Sequence, residues 1–151
     1  GDTELPIRCE SDGVRKIVST LSLLISVYYD PSITVAIDEF DAGIYEYLLG
    51  EILEAFQQSG KGQFIFTSHN LRPLEIIDKD SILFTTTNPE NRYIRLKNVG
   101  QNENLRDIYF REILLNEQDE RLYNATKRYL INAACTKAGQ AESEALNGEK
   151  E

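Results

Sequence analysis

The sequence contains no methionine, one histidine, two cysteines and four prolines in 151 residues. Cys9 and Cys135 lie far apart without paired spacing, which excludes a disulfide framework or a zinc-type cluster as the organising feature and predicts a reducing, cytoplasmic setting. Long hydrophobic runs are also missing. The longest, around Leu21 to Tyr29, is interrupted by Ser22 and Ser26 and is too short to cross a bilayer, so neither a membrane span nor a signal peptide is expected. Basic residues are outnumbered, 16 against 25 acidic ones for a net charge of −9. They form no stripe, which argues against a free-standing nucleic-acid binder, because affinity for phosphate backbones comes from Lys and Arg. The missing methionine, together with Gly1 at the start, predicts a piece of a longer protein with Gly1 as a protease scar.

What remains is an ordinary globular composition, 41% apolar and 27% charged, of a length that buries a real core. Its most informative stretch runs from Ser32 to Gly43. Ile33, Thr34, Val35, Ala36 and Ile37 are mostly apolar and rich in β-branched side chains, the pattern of a strand buried on both faces. Asp38 and Glu39 follow at once. In an open parallel sheet the carboxyl ends of the strands are where ligands bind, so this is a Walker B pattern. The first carboxylate is suited to Mg²⁺, and the second to taking a proton from an attacking water. The plainer alternative is a buried strand that ends in two solvated acids ahead of a helix N-terminus.

The elements around this stretch follow from periodicity. Gly1 to Glu10 reads as a short strand or an extended lead-in. Val14, Ile17, Val18, Leu21, Leu24, Ile25 and Tyr28 recur at helical steps from Ser11 until Asp30 and Pro31, predicting a largely buried helix. A second helix, Ile44 to Ser59, carries Leu48, Leu49, Ile52, Leu53 and Phe56 on one face and ends at Gly60-Lys61-Gly62. Gln63 to Phe66 is a short strand that runs into Thr67-Ser68-His69-Asn70, so strand, helix and strand succeed one another as in a parallel crossover. Leu71 to Asp78 is expected to be helical or turn-like, and Ser81 to Thr86 with Arg92 to Lys97 to form a hairpin. Asn104 caps a helix to Leu114 or Leu115, and another is predicted from Glu117 to Ala134. Thr136 to Glu151, small and polar apart from Leu146, is expected to be frayed or disordered.

At the head of the first helix, Ser11-Asp12-Gly13 with Arg15 offers free backbone N–H groups, and Gly13 permits close backbone approach. Taken alone, Ser-x-Gly before a helix reads as a cap rather than a phosphate contact. The order of elements carries more: a Ser-x-Gly helix start, one long helix, a strand ending Asp-Glu, an Asp-Ala-Gly turn, another helix and a strand ending in Ser-His. This succession resembles the second half of an ABC-type ATPase head, closest to the SMC, RecF and OLD-like branch of ATP-binding proteins, over about Glu10 to Ile77.

The resemblance implies a partial P-loop NTPase fold of the α/β class: a mainly parallel sheet flanked by helices in 1–98, a helical extension in 99–135 and a tail in 136–151. It implies that Ser11 and Gly13 touch nucleotide held by an opposite protomer, that Asp38 serves Mg²⁺ and that Glu39 is the general base. Asp41, Ala42 and Gly43 fall on the loop that crosses the dimer interface, and His69 on the switch histidine that contacts the γ-phosphate. The acid that many ABC heads place at the end of that loop is Tyr45 here. No Gly-x-x-x-x-Gly-Lys-Ser/Thr occurs, since Gly60-Lys61 has Ala55 where the first Gly belongs and Gly62 where the hydroxyl belongs. The expected protein therefore binds ATP and Mg²⁺ only with its own upstream P-loop lobe, dimerises on ATP, and meets any DNA or nuclease partner through modules outside this chain. The competing class is a non-catalytic interaction module that retains the ATPase sheet.

Overall fold

The computed structural model describes residues 6–97, 99–100 and 103–148, with side chains to 141. Gly1 to Leu5 of the expected lead-in lie outside the described residues, and a 3-10 turn, Ile7–Cys9, follows. Helix α1 (Asp12–Tyr29) leads to strand β1 (Thr34–Ile37), helix α2 (Glu46–Ser59) and strand β2 (Gln63–Phe66). After these come the short helix α3 (Pro73–Ile76), strands β3 (Phe84–Thr85) and β4 (Tyr93–Ile94), and helices α4 (Leu105–Leu115) and α5 (Arg128–Gly148).

β1 and β2 pair in parallel, Val35 opposite Phe64 and Ile37 opposite Phe66, which is the crossover that the strand, helix, strand order requires. Those four side chains share one face of the sheet. The core packed there consists of Leu24, Phe40, Ile44, Leu49 and Leu53, with Ile17, Ile52, Phe56, Ile76 and Ile77 around it. Phe40 is its centre. Fully enclosed, its ring meets Phe64 edge-on at 5.1 Å and Phe66 at 5.8 Å, so the residue immediately after the two acids is anchored in the core.

Two burial expectations need correction. β1 is covered on one face only: Val35 is buried, whereas Thr34 and Ala36, with their register partners Gln63 and Ile65, are exposed. Helix α1 is not largely buried either. Leu24 and Val27 are enclosed, but Val14, Val18, Leu21, Ile25 and Tyr29 form a second apolar stripe that faces outward. Apolar residues all round a helix imply cover on every side. Among the described residues the sheet and α2 cover one side alone.

Beyond β2, the hairpin is shorter than predicted: β3 and β4 pair antiparallel over two residues each as a separate small sheet. α4 begins as expected, Asn104 accepting the Arg106 N–H at 2.9 Å. It is tied to the rest by charge. Arg106 reaches Glu75 at 2.8 Å and Glu46 at 3.7 Å, and Arg72 binds Glu75 at 2.5 Å, joining α2, α3 and α4. The two guanidinium groups, Arg106 foremost, hold the Glu75 carboxyl below its ordinary range. Residues 117–121 are not helical. Glu120 accepts the side-chain amides of Asn88 and Asn91 at 3.0 Å, and Gln118 accepts the Lys97 N–H at 2.9 Å, so this segment is used as a strap across the hairpin. The last helix starts later than predicted and continues to Gly148, through the stretch read as frayed. Its Ala, Glu, Gln and Lys residues have high helix propensity, and the side chains described, to Ala141, are exposed.

Candidate functional site

The carboxyl ends of β1 and β2 lie side by side because the strands are parallel and in register up to Ile37 and Phe66. Whatever follows each strand therefore meets at one edge. Glu39 and His69 do so, with His69 Nε2 3.8 Å from Glu39 Oε1. Both side chains are open to solvent, 60% exposed for Glu39 and 85% for His69.

Between these two, β1 and β2 are stitched by Thr67. Its hydroxyl donates to Asp38 Oδ1 and accepts the Glu39 N–H at 2.7 Å, while its carbonyl accepts the Phe40 N–H at 3.0 Å. Glu39 itself has φ 48°, the left-handed region that a side chain disfavours. This turn sends the next residue, Phe40, back into the core while the Glu39 carboxylate stays outside.

Asp41 is drawn to the other strand. Its carboxylate accepts the backbone N–H of His69 at 3.2 Å and of Asn70 at 3.0 Å. Two amides on one ionised acceptor are charge-assisted bonds, so the loop carrying His69 is held from the β1 side. Ser68 and Asn70 brace it further: Asn70 N–H donates to Ser68 Oγ at 3.0 Å, and Asn70 Oδ1 accepts the Arg72 N–H at 2.8 Å.

The head of α1 reaches the same region. Ser11 is its N-cap, accepting the Val14 N–H at 3.3 Å, which is the capping role available to it from sequence; Asp12 pairs with Arg15 one turn on. Gly13 is buried against Gly43, whose φ is 76°. A Cβ on Gly13 would stand 2.0 Å from the Gly43 carbonyl oxygen, so the Ser-x-Gly start and the Asp-Ala-Gly turn touch backbone to backbone. One turn beyond, the Lys16 ammonium donates to the carbonyl of Glu39, which also accepts the Ala42 N–H at 3.0 Å.

All eight residues singled out from sequence are thus distributed around one edge: Asp38, Glu39 and His69 at the strand ends, Asp41, Ala42 and Gly43 in the turn beside them, and Ser11 and Gly13 at the helix start packed on that turn. Thr67 and Lys16 were not singled out. A hydroxyl two places before the histidine on the neighbouring strand was the available signal for Thr67; nothing in the pattern marked Lys16.

As a metal site the edge is sparse. Among the described residues no three potential ligands gather, and Asp38, exposed, has one carboxylate oxygen engaged by Thr67. That donor set fits a cation that keeps most of its water and takes one carboxylate from the protein, which is the habit of Mg²⁺. It does not fit an all-protein cage. Among the described residues no helix is long and apolar enough to cross a membrane.

Comparison with known proteins returns a family described as "AAA domain, putative AbiEii toxin, Type IV TA system", matched over residues 1–76. No curated protein and no solved structure matches the chain. The matched span contains the helix start, both acids, the Asp-Ala-Gly turn and His69, and with half of its length aligned the chain belongs to this family of AAA domains, a P-loop ATPase type.

Proposed function

We propose that this chain is the signature, Walker B and switch-histidine half of an ABC-type ATPase head of the SMC, RecF and OLD-like branch, which hydrolyses ATP with Mg²⁺ when an upstream P-loop lobe and a second protomer complete it. The observation that carries the reading is the parallel register that sets Glu39 and His69 3.8 Å apart at one sheet edge, beside Asp38. A carboxylate and an imidazole at adjacent strand tips can serve one reacting group as its base and its phosphate contact.

Glu39 takes the proton of the attacking water. His69 donates to the γ-phosphate, and its loop is kept in place by the Asp41 carboxylate. Asp38 would hold Mg²⁺, and the ion, when bound, would offset the charge of the phosphates. Ser11 and Gly13, the latter seated on Gly43, present the helix start to nucleotide carried by the opposite protomer of an ATP-bound dimer. The uncovered faces of α1 and of the β1–β2 sheet are where the P-loop lobe adds its cover.

Because the chain has no phosphate cradle of its own, the isolated 151 residues should bind Mg-ATP weakly or not at all, whereas the protein with the upstream lobe turns it over. Calorimetric titration of the former and phosphate release by the latter test this. Tight ATP binding by the isolated chain, or no turnover by the completed protein, would overturn it.

A further inference from the structure

We propose that Thr67, acting with Lys16, is a positioning residue for the Glu39 carboxylate; this rests on the ATPase reading and deepens it. Glu39 sits at φ 48°, a conformation that persists in a non-glycine residue only where its surroundings over-determine it. Thr67 and Lys16 supply that determination. The Glu39 N–H is taken by the Thr67 hydroxyl at 2.7 Å, and the Glu39 carbonyl by the Lys16 ammonium and the Ala42 N–H. The next N–H, of Phe40, is taken by the Thr67 carbonyl at 3.0 Å.

The direction of the Thr67 hydroxyl is fixed by chemistry. It has one proton, and that proton goes to Asp38 Oδ1, so its lone pairs face the Glu39 amide. An ionised Asp38 therefore orients the acceptor that fixes the backbone of Glu39. One side chain sets both acids, and because Thr67 continues β2 two residues before His69, acids and imidazole are referred to the same strand. Lys16 closes the clamp from α1, one turn from Gly13.

The test uses the completed protein carrying Thr67→Val, which keeps shape and loses the hydroxyl, and Thr67→Ser, which keeps the hydroxyl. Each is made alone and with Glu39→Gln. ATP turnover and hydrogen exchange of the Glu39 amide are measured. Thr67→Val should lower kcat by about 10²-fold, the usual cost of a small misplacement of a reacting group, and Thr67→Ser should restore most of it. Added to Glu39→Gln, Thr67→Val should cost little more, since a residue that works through the base has nothing left to position. The Glu39 amide should exchange faster in Thr67→Val than in wild type or Thr67→Ser. Lys16→Met, which leaves β2 untouched, should show the same non-additivity and covers the case in which Thr67→Val fails to fold. Wild-type turnover in Thr67→Val, a full multiplicative loss on top of Glu39→Gln, or a Thr67→Ser as impaired as Thr67→Val would overturn the proposal. A wild-type protein without turnover would remove the ATPase reading and this role with it, while an unchanged Glu39 amide in Thr67→Val refutes the clamp by itself.

Discussion

His69 Nε2 lies 3.8 Å from Glu39 Oε1, the two side chains standing on the tips of parallel neighbouring strands and reaching into solvent. At that separation they are within ion-pair range and beyond a hydrogen bond.

If Glu39 polarises the attacking water, Glu39→Gln keeps shape and hydrogen bonding and removes the base. Turnover in the completed protein should fall by about 10²–10⁴-fold with ATP binding retained, and ATP-bound dimers should accumulate. Asp38→Asn should instead weaken Mg²⁺-dependent binding as well, because its proposed role is to the ion. Turnover and affinity measured on both variants separate the acids, and a Glu39→Gln protein that hydrolyses at the wild-type rate removes Glu39 from the mechanism.

Phe40→Ala should cost about 3–5 kcal/mol of stability, as expected for emptying a fully enclosed aromatic site. Urea denaturation of the 151-residue chain measures it, with the midpoint falling. Since Phe40 also fixes the position of Glu39 by one peptide, His69–Glu39 contacts seen by NMR should weaken in the same variant.

Gly13→Ala places a methyl group 2.0 Å from the Gly43 carbonyl oxygen, backbone that has no rotamer by which to move aside. A loss of about 1–3 kcal/mol follows from overpacking of this kind. Gly43→Ala should also destabilise, for a different reason: its φ of 76° strains any side chain. Thermal melts of the two single variants test both, and an unchanged midpoint in Gly13→Ala would show that the loops can separate freely.

Glu75 gives the chain an acid-sensitive joint. Its folded-state pKa is lowered by Arg106 and then by Arg72, so the unfolded chain binds the proton more readily than the folded one. The stabilisation is complete above the ordinary glutamate value and is lost as pH falls through the lowered one. Glu75→Gln should accordingly be less stable than wild type at pH 7, and the gap should close on acidification below about pH 4. Denaturation at a series of pH values checks this; a gap that widens at low pH contradicts it.

How much could be read beforehand depended on how local the cause was. The crossover of β1 and β2 was legible because a β-branched run, a helical period and a second short strand follow one another within a single stretch. The edge that gathers Asp38, Glu39 and His69 followed from that topology alone. Burial was not legible: the residues of α1 are apolar on two stripes, and pattern cannot say how many sides a neighbour covers. Thr67 and Lys16 escaped because their importance lies in the backbone of another residue, whose left-handed φ has no sequence signal in a glutamate. The strap of Glu120 and Gln118 over the hairpin depends on pairings between distant polar side chains, which no periodicity announces.

Helix α1 is pinned at both ends. At its start Gly13 rests on Gly43, and at its finish the Lys61 and Gly62 amides bind the carbonyls of Tyr28 and Val27 at 3.1 and 2.8 Å, with Gly62 lying so close that a Cβ there would meet the oxygens of Asp30, Ile33 and Val27 within 2.7 Å. A rod about 27 Å long, at 1.5 Å per residue, is thereby fastened to the loop after β1 at one end and to the loop before β2 at the other. Helices resist stretching far more than tilting. The loop after β1 and the root of β2 are therefore held apart by a distance that α1 sets.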